Sequence, residues 1–296
     1  PRRQRQMCIR DRRGVASAAT SVMIAAIGSV TSRIRLGAGG IMLPNHPPMM
    51  IAEQFGTLEA LFPGRIDLGL GRAPGTDPET ARALRRDMRQ NVDSYPRDVQ
   101  ELQSYFQEDD GNKRIVSIPG AGAKVPLWML GSSLYSAKLA GQMGLPYSFA
   151  SHFAPEMLHE AIKLYRNSFR PSAQLDKPYV SAATMAIVAD TQEQAEYLFT
   201  SAQLMFAGMR RGANEALPAP VDNIQNVLSE MEIYGVRQML RTAVVGDLET
   251  AEKKFQQFIE STGADELILA FPIHSKEAVL HGIELIGTMD GVMQKA

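Results

Sequence analysis

The sequence predicts an α/β protein built around a parallel sheet. From about residue 15 onward, short apolar segments alternate with longer amphipathic ones. Such alternation is typical of βα units, in which a helix connects two parallel strands. Six apolar segments have the length and composition of strands; they lie near residues 34, 66, 126, 147, 180 and 267. Six strands suit a doubly wound open sheet and a closed barrel needs eight, so the pattern alone leaves both architectures open.

Length, charge and cysteine content limit the classes of protein to which this chain can belong. The chain has 296 residues, 45% of them hydrophobic and 21% charged, which suits one large α/β domain or two small ones. The formal net charge of −1 gives no general attraction to nucleic acid or to an anionic membrane. The single cysteine, Cys8, excludes an intramolecular disulfide and a cysteine-based metal cluster, and it is consistent with a reducing cytoplasm. We therefore expect a cytoplasmic protein without nucleic-acid or membrane partners.

The N-terminal region combines a basic arm with an apolar stretch. Residues 1–13 include six arginines, and residues 22–30 are mostly apolar. This is the outline of a secretory signal, but Gly28 and Ser29 interrupt the apolar stretch and no small-residue cleavage site follows. No segment approaches the roughly 20 apolar residues that span a bilayer. We interpret residues 15–30 as an amphipathic, alanine-rich helix.

The remaining elements follow in order. The predicted strands are 34–40, 65–71, 125–130, 147–151, 179–189 and 266–271, and the predicted helices are 48–62, 78–93, 96–108, 135–143, 155–169, one from 191, 248–262 and one ending near 289. Pro48 suits a first helical turn, Asp247 an N-cap and Gly263 a helix stop. The regions near 109–124 and 205–242 are predicted to be insertions, and the second is expected to shape a substrate pocket.

In both architectures ligands bind at the carboxyl ends of the strands, so the residues that follow each strand are candidates. The first strand ends in Gly39 and Gly40, which allow a ligand to lie against bare backbone or allow an unusual backbone geometry. Asn45 and His46 follow in a proline-rich loop and suit hydrogen bonds to a heteroaromatic ring. A histidine that is satisfied within its own loop is the equally weighted alternative.

Two later strand ends indicate a phosphate. Arg72 follows the second strand, where a guanidinium can hold an anion through two hydrogen bonds; a surface salt bridge is the alternative. Ser132, Ser133 and Ser136 follow the third strand at the start of a helix, where free N–H groups and hydroxyls suit an anion. Simple capping of that helix by serine explains the same pattern.

The sequence contains no Walker-type loop, no complete G-x-G-x-x-G fingerprint, no HExxH or C-x-x-C metal motif and no convincing pair of nucleophile and base. We therefore predict no metal site. A phosphate-bearing cofactor with its own reactivity fits better than acid–base chemistry by side chains.

Two runs of sequence resemble the bacterial-luciferase-like flavin-dependent monooxygenases. The first is Arg35–Pro48 (RLGAGGIMLPNHPP), and the second, which is very specific, is Ile51–Asp77 (IAEQFGTLEALFPGRIDLGLGRAPGTD). Shorter similar segments are Trp128–Ser133, Gly141–Pro146, Val245–Glu252 and Gly263–Leu267. The resemblance covers residues 14–296.

This resemblance implies a TIM (β/α)8-type barrel that binds reduced FMN at its strand ends. It implies an oxidoreductase that incorporates O2 into a small aldehyde- or ketone-like substrate, supplied with flavin by a separate NAD(P)H:flavin reductase. By matching motifs, Arg72, Ser133 and Ser136 hold the flavin phosphate, and Gly39-Gly40 falls where relatives can have a non-proline cis peptide bond. Relatives are often homodimers. A hydride-transfer oxidoreductase of the same fold that uses F420 is an alternative, because the motifs for the two cofactors overlap.

The N-terminal region departs from the family pattern. Family members begin with a strand, a helix and a second strand that ends in a Trp-x-Ala-Glu-His-His-like motif, and this motif leads into the equivalent of residues 14–19. Here residues 1–13 stand in its place, so the family's histidine has no counterpart and the catalytic residue is unknown. We expect a non-native-looking basic arm over 1–13, then a single barrel domain over 14–296 that lacks its first two strands. A non-catalytic flavin-binding protein is the alternative from another functional class.

Overall fold

The computed structural model describes residues 3–6, 19–73, 94–112, 114–213 and 215–289. The helix predicted over 78–93 lies outside the described residues. Within them, no helix is both long enough and apolar enough to cross a membrane.

Parallel strands form one eight-stranded sheet. The strands are β1 (Arg3–Gln6), β2 (Arg35–Met42), β3 (Ile66–Gly71), β4 (Leu127–Gly131), β5 (Tyr147–Phe149), β6 (Val180–Val188), β7 (Val244–Gly246) and β8 (Glu266–Ala270). From β1 to β6, each strand pairs with the next one along the chain. A doubly wound sheet reverses its strand order at a switch point, and this order has no such reversal. The consecutive order is that of a TIM-type barrel, so the predicted fold is confirmed.

The β6 strand is the branch point of the sheet. Its first half, Ser181–Met185, pairs with β8, and its last three residues, Ala186–Val188, pair with β7. In the part of the chain that the structure describes, β1 pairs with β2 alone and β8 with β6 alone, so the strand path is open between β8 and β1.

All six predicted strands are confirmed, and two further strands were not predicted. The β7 strand has three residues, too few to show a period-2 pattern. The β1 strand lies within the predicted basic arm, and Arg3 is in register with Arg35. Backbone groups at the edge of a sheet can pair with any extended segment, so polar composition does not prevent this pairing.

The helices pack against this sheet. They are α1 (Thr20–Ser29), α2 (Pro48–Leu61), α3 (Tyr95–Phe106), α4 (Leu134–Met143), α5 (Leu158–Ser168), α6 (Gln192–Arg210), α7 (Glu230–Met239), α8 (Leu248–Thr262) and α9 (Lys276–Gly287). Asp247 caps α8 by accepting from the Thr250 N–H, and Gly263 ends it in the left-handed conformation at φ 60°. Both boundary predictions are thus confirmed. Ser229 and Glu232 form a capping box at the start of α7.

Alternate residues of the strands form the main core. Leu36, Leu68, Met129 and Phe149 are buried in one cluster with apolar residues of α1 to α5. Because side chains alternate between the two faces of a strand, the residues between these positions face the other side of the sheet. Trp128 is one of them, and its aliphatic neighbours on β4 belong to the main core.

The opposite face carries a buried polar group. The Arg35 guanidinium forms a salt bridge of 2.9 Å with Asp67, and the Trp128 Nε1–H donates to the Asp67 carboxylate at 3.3 Å. The Trp128 ring meets Tyr179 edge-on at 5.6 Å. The hydrogen bond to Asp67 raises the pKa of Arg35. Arg35, Asp67 and Trp128 occupy the early positions of β2, β3 and β4, away from the carboxyl ends where the candidate site lies.

A second core lies beyond the carboxyl half of β6. Met185 and Ile187 of that strand pack there with residues of α6 and α7, and Phe153 and Ile273 join from two other strand ends. The 205–242 region thus contributes the end of α6 and all of α7 to a layer beside the carboxyl ends of the strands.

Candidate functional site

The close approach of β2 and β3 requires glycines. A Cβ at Gly40 would lie 2.7 Å from the Gly69 carbonyl oxygen, and one at Gly69 would lie 2.3 Å from the Ala38 carbonyl oxygen. The register between the two strands shifts between Ala38 and Ile41. The peptide bond between Gly39 and Gly40 is cis, so the unusual geometry expected at this position is present.

The loop after β2 holds the predicted polar pair. Leu43–Asn45 forms a short 3-10 helix, and Asn45 is 6% exposed. His46 is half-buried, and its backbone N–H donates to the Leu43 carbonyl oxygen at 2.9 Å. The structure therefore places Asn45 inside the protein at the carboxyl end of β2, one strand away from Arg72.

Arg72 lies directly after β3 and contacts the first turn of α4. Its guanidinium carbon is 4.2 Å from the centroid of the Tyr135 ring. Gly71 and Leu130 are in register on β3 and β4, so Arg72 and Gly131 leave adjacent strand ends. Stacking on an aromatic ring orients a guanidinium while its N–H groups stay available to an anion. The structure thus brings Arg72 to the first turn of α4 through Tyr135.

Ser133 caps α4. Its Oγ accepts from the Ser136 N–H at 3.5 Å, and the Ser136 hydroxyl donates to the Ser133 carbonyl at 2.8 Å. Gly131 makes room for this arrangement, because a Cβ there would lie 2.2 Å from Ser136 Oγ. Capping by Ser133 is therefore confirmed. Binding of a phosphate at the same turn stays a prediction, and Ser132 lies half-buried in the turn.

A buried tyrosine supports this turn from the neighbouring strand. The Tyr147 hydroxyl lies 3.3 Å from Ser136 Oγ and donates to the Ser133 carbonyl at 3.4 Å. Burial raises the pKa of Tyr147, and the hydrogen bond with Ser136 opposes that shift only partly. The phenol is therefore neutral at physiological pH and acts as a fixed donor to the helix start. We call Arg72, Tyr135, Ser132, Ser133 and Ser136 the anion cradle.

A buried histidine at the next strand end was not among the predicted site residues. His152 comes three residues after Phe149, the last residue of β5, and is 5% exposed. Burial lowers its pKa to about 4, so the imidazole is neutral at physiological pH. Its position in the sequence could have identified it as a candidate. The rule that residues after strand ends bind ligands, which identified Arg72 and the serines, applies equally to the residues that follow β5.

The region predicted to shape the substrate pocket is held by charged contacts on its outer side. Arg211 forms a salt bridge of 2.6 Å with Glu232, and Arg210 lies beside Gly235, where a Cβ would lie 1.7 Å from its Nη1. A cavity of about 200 Å³ lies between α6 and α7 and is lined by both arginines. These contacts join α6 to α7.

Comparison of the sequence with protein families finds a match to the luciferase-like monooxygenase model over residues 8–266. A luciferase-like monooxygenase of Escherichia coli (strain K12) is 51% identical over 272 residues, covering 92% of this chain and 81% of that protein. The N-acetyl-S-alkylcysteine monooxygenase of Bacillus subtilis (strain 168) is 31% identical over 188 residues, covering 62% of this chain and 55% of that protein.

Solved structures share the fold. The apo-MsnO8 structure superposes with a TM-score of 0.80 at 29% identity, covering 92% of this chain and 82% of that chain. The oxygenating constituent of 3,6-diketocamphane monooxygenase from Pseudomonas putida, in complex with FMN, gives a TM-score of 0.69 at 16% identity, with 97% and 87% covered. An F420-dependent secondary alcohol dehydrogenase superposes with a TM-score of 0.67 at 14% identity, covering 98% of this chain and 88% of that chain.

Proposed function

This chain belongs to the luciferase-like monooxygenase family, a family of oxidoreductases, and from that premise we propose that it is a flavin-dependent monooxygenase. In this proposal it uses reduced FMN and O2 to oxygenate a small aldehyde- or ketone-like substrate. One observation carries the proposal: Arg72 and the start of α4 meet at the carboxyl ends of β3 and β4.

The donors of the anion cradle fit a phosphate monoester. A guanidinium can donate two parallel hydrogen bonds to phosphate oxygens, and the first N–H groups of a helix have no partner within the helix. The positive end of the helix dipole also favours a dianion. Arg72 would hold the flavin phosphate together with Ser132, Ser133, Ser136 and the first N–H groups of α4. Tyr135 would keep the guanidinium in place.

The glycine pair and Asn45 would serve the ring of the flavin. Gly39 and Gly40 present backbone without side chains at the carboxyl part of β2, and Asn45 supplies an amide that can both donate and accept hydrogen bonds. Reduced FMN, when bound, supplies the electrons for the reaction with O2. The residues of this chain would bind and orient it.

The solved F420-dependent enzyme with this fold favours one second candidate, hydride transfer to or from F420 without O2. Phosphate recognition alone does not separate the two cofactors. A separate NAD(P)H:flavin reductase would supply reduced FMN in the first case, and we propose that the protein works as a homodimer in the cytoplasm. A flavin-binding protein without catalysis is a further outcome of the test below.

The test measures binding of FMN, riboflavin and F420 to the whole chain, by fluorescence quenching or calorimetry, and then O2 consumption with enzymatically reduced FMN. The substrates are octanal, cyclohexanone and an N-acetyl-S-alkylcysteine. Tight binding of FMN over riboflavin, with substrate-dependent O2 consumption, supports the proposal. Preference for F420 favours hydride transfer. Binding of FMN without substrate-dependent O2 consumption favours a non-catalytic role, and failure to bind any of the three contradicts flavin-type chemistry.

A further inference from the structure

A further cavity lies on the helical layer of the protein, between α5 and α8. Its volume is about 240 Å³. Ile162 of α5 and Thr262 of α8 line it and are buried, whereas its other lining residues are exposed. The cavity is therefore a depression with a buried floor and an exposed rim, and a dissolved ligand can reach it from solvent.

This cavity is separate from the anion cradle. The α8 helix ends at Thr262, and β8 begins a short turn later at Glu266. The end of α8 that lines the cavity thus lies near the amino end of a strand, whereas the anion cradle lies at the carboxyl ends of β3 and β4. A ligand in this cavity is therefore distinct from one held by Arg72.

The rim of the cavity is basic. His159, Lys163 and Arg166 line it and follow one another at helical spacing, which places them on one face of α5. None of the described residues that line the cavity is acidic, although Glu160 and Glu260 are neighbours of lining residues in the sequence. Like charges at this spacing repel each other and destabilise a helix slightly, so the stability of α5 does not account for the cluster.

The end of α8 holds Arg166 in place. Its Nη1–H donates to the Thr262 carbonyl at 3.4 Å, and its Nη2–H donates to the Gly263 carbonyl at 2.5 Å. A guanidinium has five N–H donors, so these two bonds leave others for a ligand. The bonds also satisfy carbonyl groups at the helix end, whose partial negative charge would otherwise oppose an anion. Arg166 is thus a fixed donor at the edge of the cavity.

Lys163 and Asn167 supply the other donors. They lie one helical turn apart on α5, and within the described residues neither side chain forms a hydrogen bond or an ion pair. The Ser261 hydroxyl donates to the Phe258 carbonyl at 3.0 Å, and the Thr262 hydroxyl donates to the same carbonyl at 2.7 Å. Both hydroxyls are therefore engaged as donors, and the free donors of the cavity come from α5.

These donors suit a small phosphate. Lysine binds phosphate as a compact charge and arginine as a planar donor, and the two side chains together balance a dianion. Cavities for drug-sized ligands measure about 300–1,000 Å³. A volume of about 240 Å³ suits a smaller compound.

We propose that the cavity between α5 and α8 binds a small phosphate, either free or as the monoester of a small organic compound. Lys163, Arg166 and Asn167 are its ligand-binding residues. Because Arg166 also holds the end of α8, an occupied site strengthens the contact between the two helices, and a ligand that binds only the folded chain raises its stability. The inference does not depend on the flavin chemistry proposed above.

The test uses the whole chain with Arg72→Ala, which weakens the phosphate site proposed at the anion cradle. Calorimetry and melting temperature are measured with orthophosphate and glycerol 3-phosphate, against sodium chloride at equal ionic strength. Lys163→Gln in this background is the test variant, and Lys276→Gln, at an exposed position on α9, is the matched control.

We expect Lys163→Gln to keep the melting temperature of the unliganded parent and to raise the Kd for phosphate about tenfold, as loss of one charge-assisted hydrogen bond implies. Lys276→Gln should leave this Kd unchanged, and Lys163→Glu should abolish binding. A lower Kd for glycerol 3-phosphate than for orthophosphate assigns a monoester, and any other order assigns free phosphate.

Three results overturn the proposal. The first is an equal Kd for Lys163→Gln and Lys276→Gln. The second is a melting temperature that rises as much with chloride as with phosphate, which indicates screening of charge alone. The third is Lys163-dependent binding of a polyglutamate peptide without binding of phosphate, which indicates an acidic protein partner. Failure of the wild type to bind FMN overturns only the proposed function, because this test measures phosphate alone.

Discussion

The guanidinium of Arg72 lies over the ring of Tyr135, with 4.2 Å from its central carbon to the ring centroid. The two residues come from different βα units, since Arg72 follows β3 and Tyr135 belongs to the helix that follows β4. This contact joins two strand ends that are adjacent in the sheet, at the place where we propose the phosphate site. Substitutions on either strand end should therefore change the affinity for a phosphate.

Replacing Arg72 should weaken FMN binding through the phosphate. Loss of a charge-assisted hydrogen bond costs about 1.5–3 kcal/mol, so Arg72→Ala should raise the Kd for FMN roughly 10- to 100-fold. Riboflavin has no phosphate, so its Kd should change little. Arg72→Lys should recover part of the affinity, because lysine keeps the charge and loses the two parallel donors. Arg237→Ala, at an exposed position on α7, is the control. Equal losses for FMN and riboflavin would contradict a phosphate contact.

Replacing Ser133 should destabilise the start of α4. Its Oγ accepts from the Ser136 N–H, and loss of an N-cap costs about 1 kcal/mol. Ser133→Ala should therefore lower the free energy of unfolding by about that amount in urea titrations. Ser133→Asp should retain the cap and repel a phosphate. This variant should therefore keep the free energy of unfolding of the wild type while its affinity for FMN falls. Unchanged FMN affinity in Ser133→Asp would place the phosphate elsewhere.

Breaking the buried salt bridge between Arg35 and Asp67 should lower the free energy of unfolding and leave the affinity for FMN unchanged. Asp67 is 2% exposed and also accepts from Trp128, so Asp67→Ala leaves a partly buried guanidinium without its carboxylate. Removing one partner of such a pair costs about 3–5 kcal/mol. The exposed pair of Glu249 and Lys253 is the control, and Glu249→Ala should destabilise the protein far less because water screens that pair. Similar losses at the two positions, measured by chemical denaturation, would show that Asp67 is not effectively buried.

The buried histidine should make stability depend on pH. The pKa of His152 is about 4 in the folded state, against 6.5 for an ordinary histidine, so the unfolded state binds more protons between these values. Its contribution to stability is complete above about pH 6.5 and declines as the pH falls towards 4. The full loss is about 3 kcal/mol, since one pKa unit corresponds to 1.36 kcal/mol.

The variant His152→Phe removes this titration. Unfolding of the wild type and of this variant by urea at pH 7.5, 6, 5 and 4.5 measures the difference directly. The stability of the variant relative to the wild type should rise steadily as the pH falls over this range. A constant difference between the two proteins at every pH would contradict a neutral, desolvated imidazole in the folded state.

Local patterns predicted much of the fold. Six strands, the capping residue Asp247 and the helix stop Gly263 follow from periodicity and from the conformational preferences of single residues, which act over a few neighbours. The β7 strand was not predictable in this way because three residues carry no period. The β1 strand was not predictable because an edge strand is held by backbone groups and needs no apolar side chains.

The candidate site divides in the same way. The types and positions of Arg72, Ser133 and Ser136 indicated a phosphate, because each follows a strand end, where ligands bind in this kind of fold. The partner of Arg72 was not predictable, because its stacking on Tyr135 depends on the turn that α4 makes after β4. His152 also follows a strand end, so its position was readable from the sequence, but only the packing shows that its ring is buried.

The sequence by itself determined which segments form strands and helices and which strand ends carry polar groups, because those properties depend on residues that are close along the chain. The spacing of apolar segments left a barrel and an open sheet possible, and the family resemblance implied the barrel. The tertiary structure confirmed the barrel, since that choice depends on which strand edges pair. It also decided that the imidazole of His152 is neutral, because ionisation follows burial, and burial arises from β5, β6 and the α6–α7 layer together.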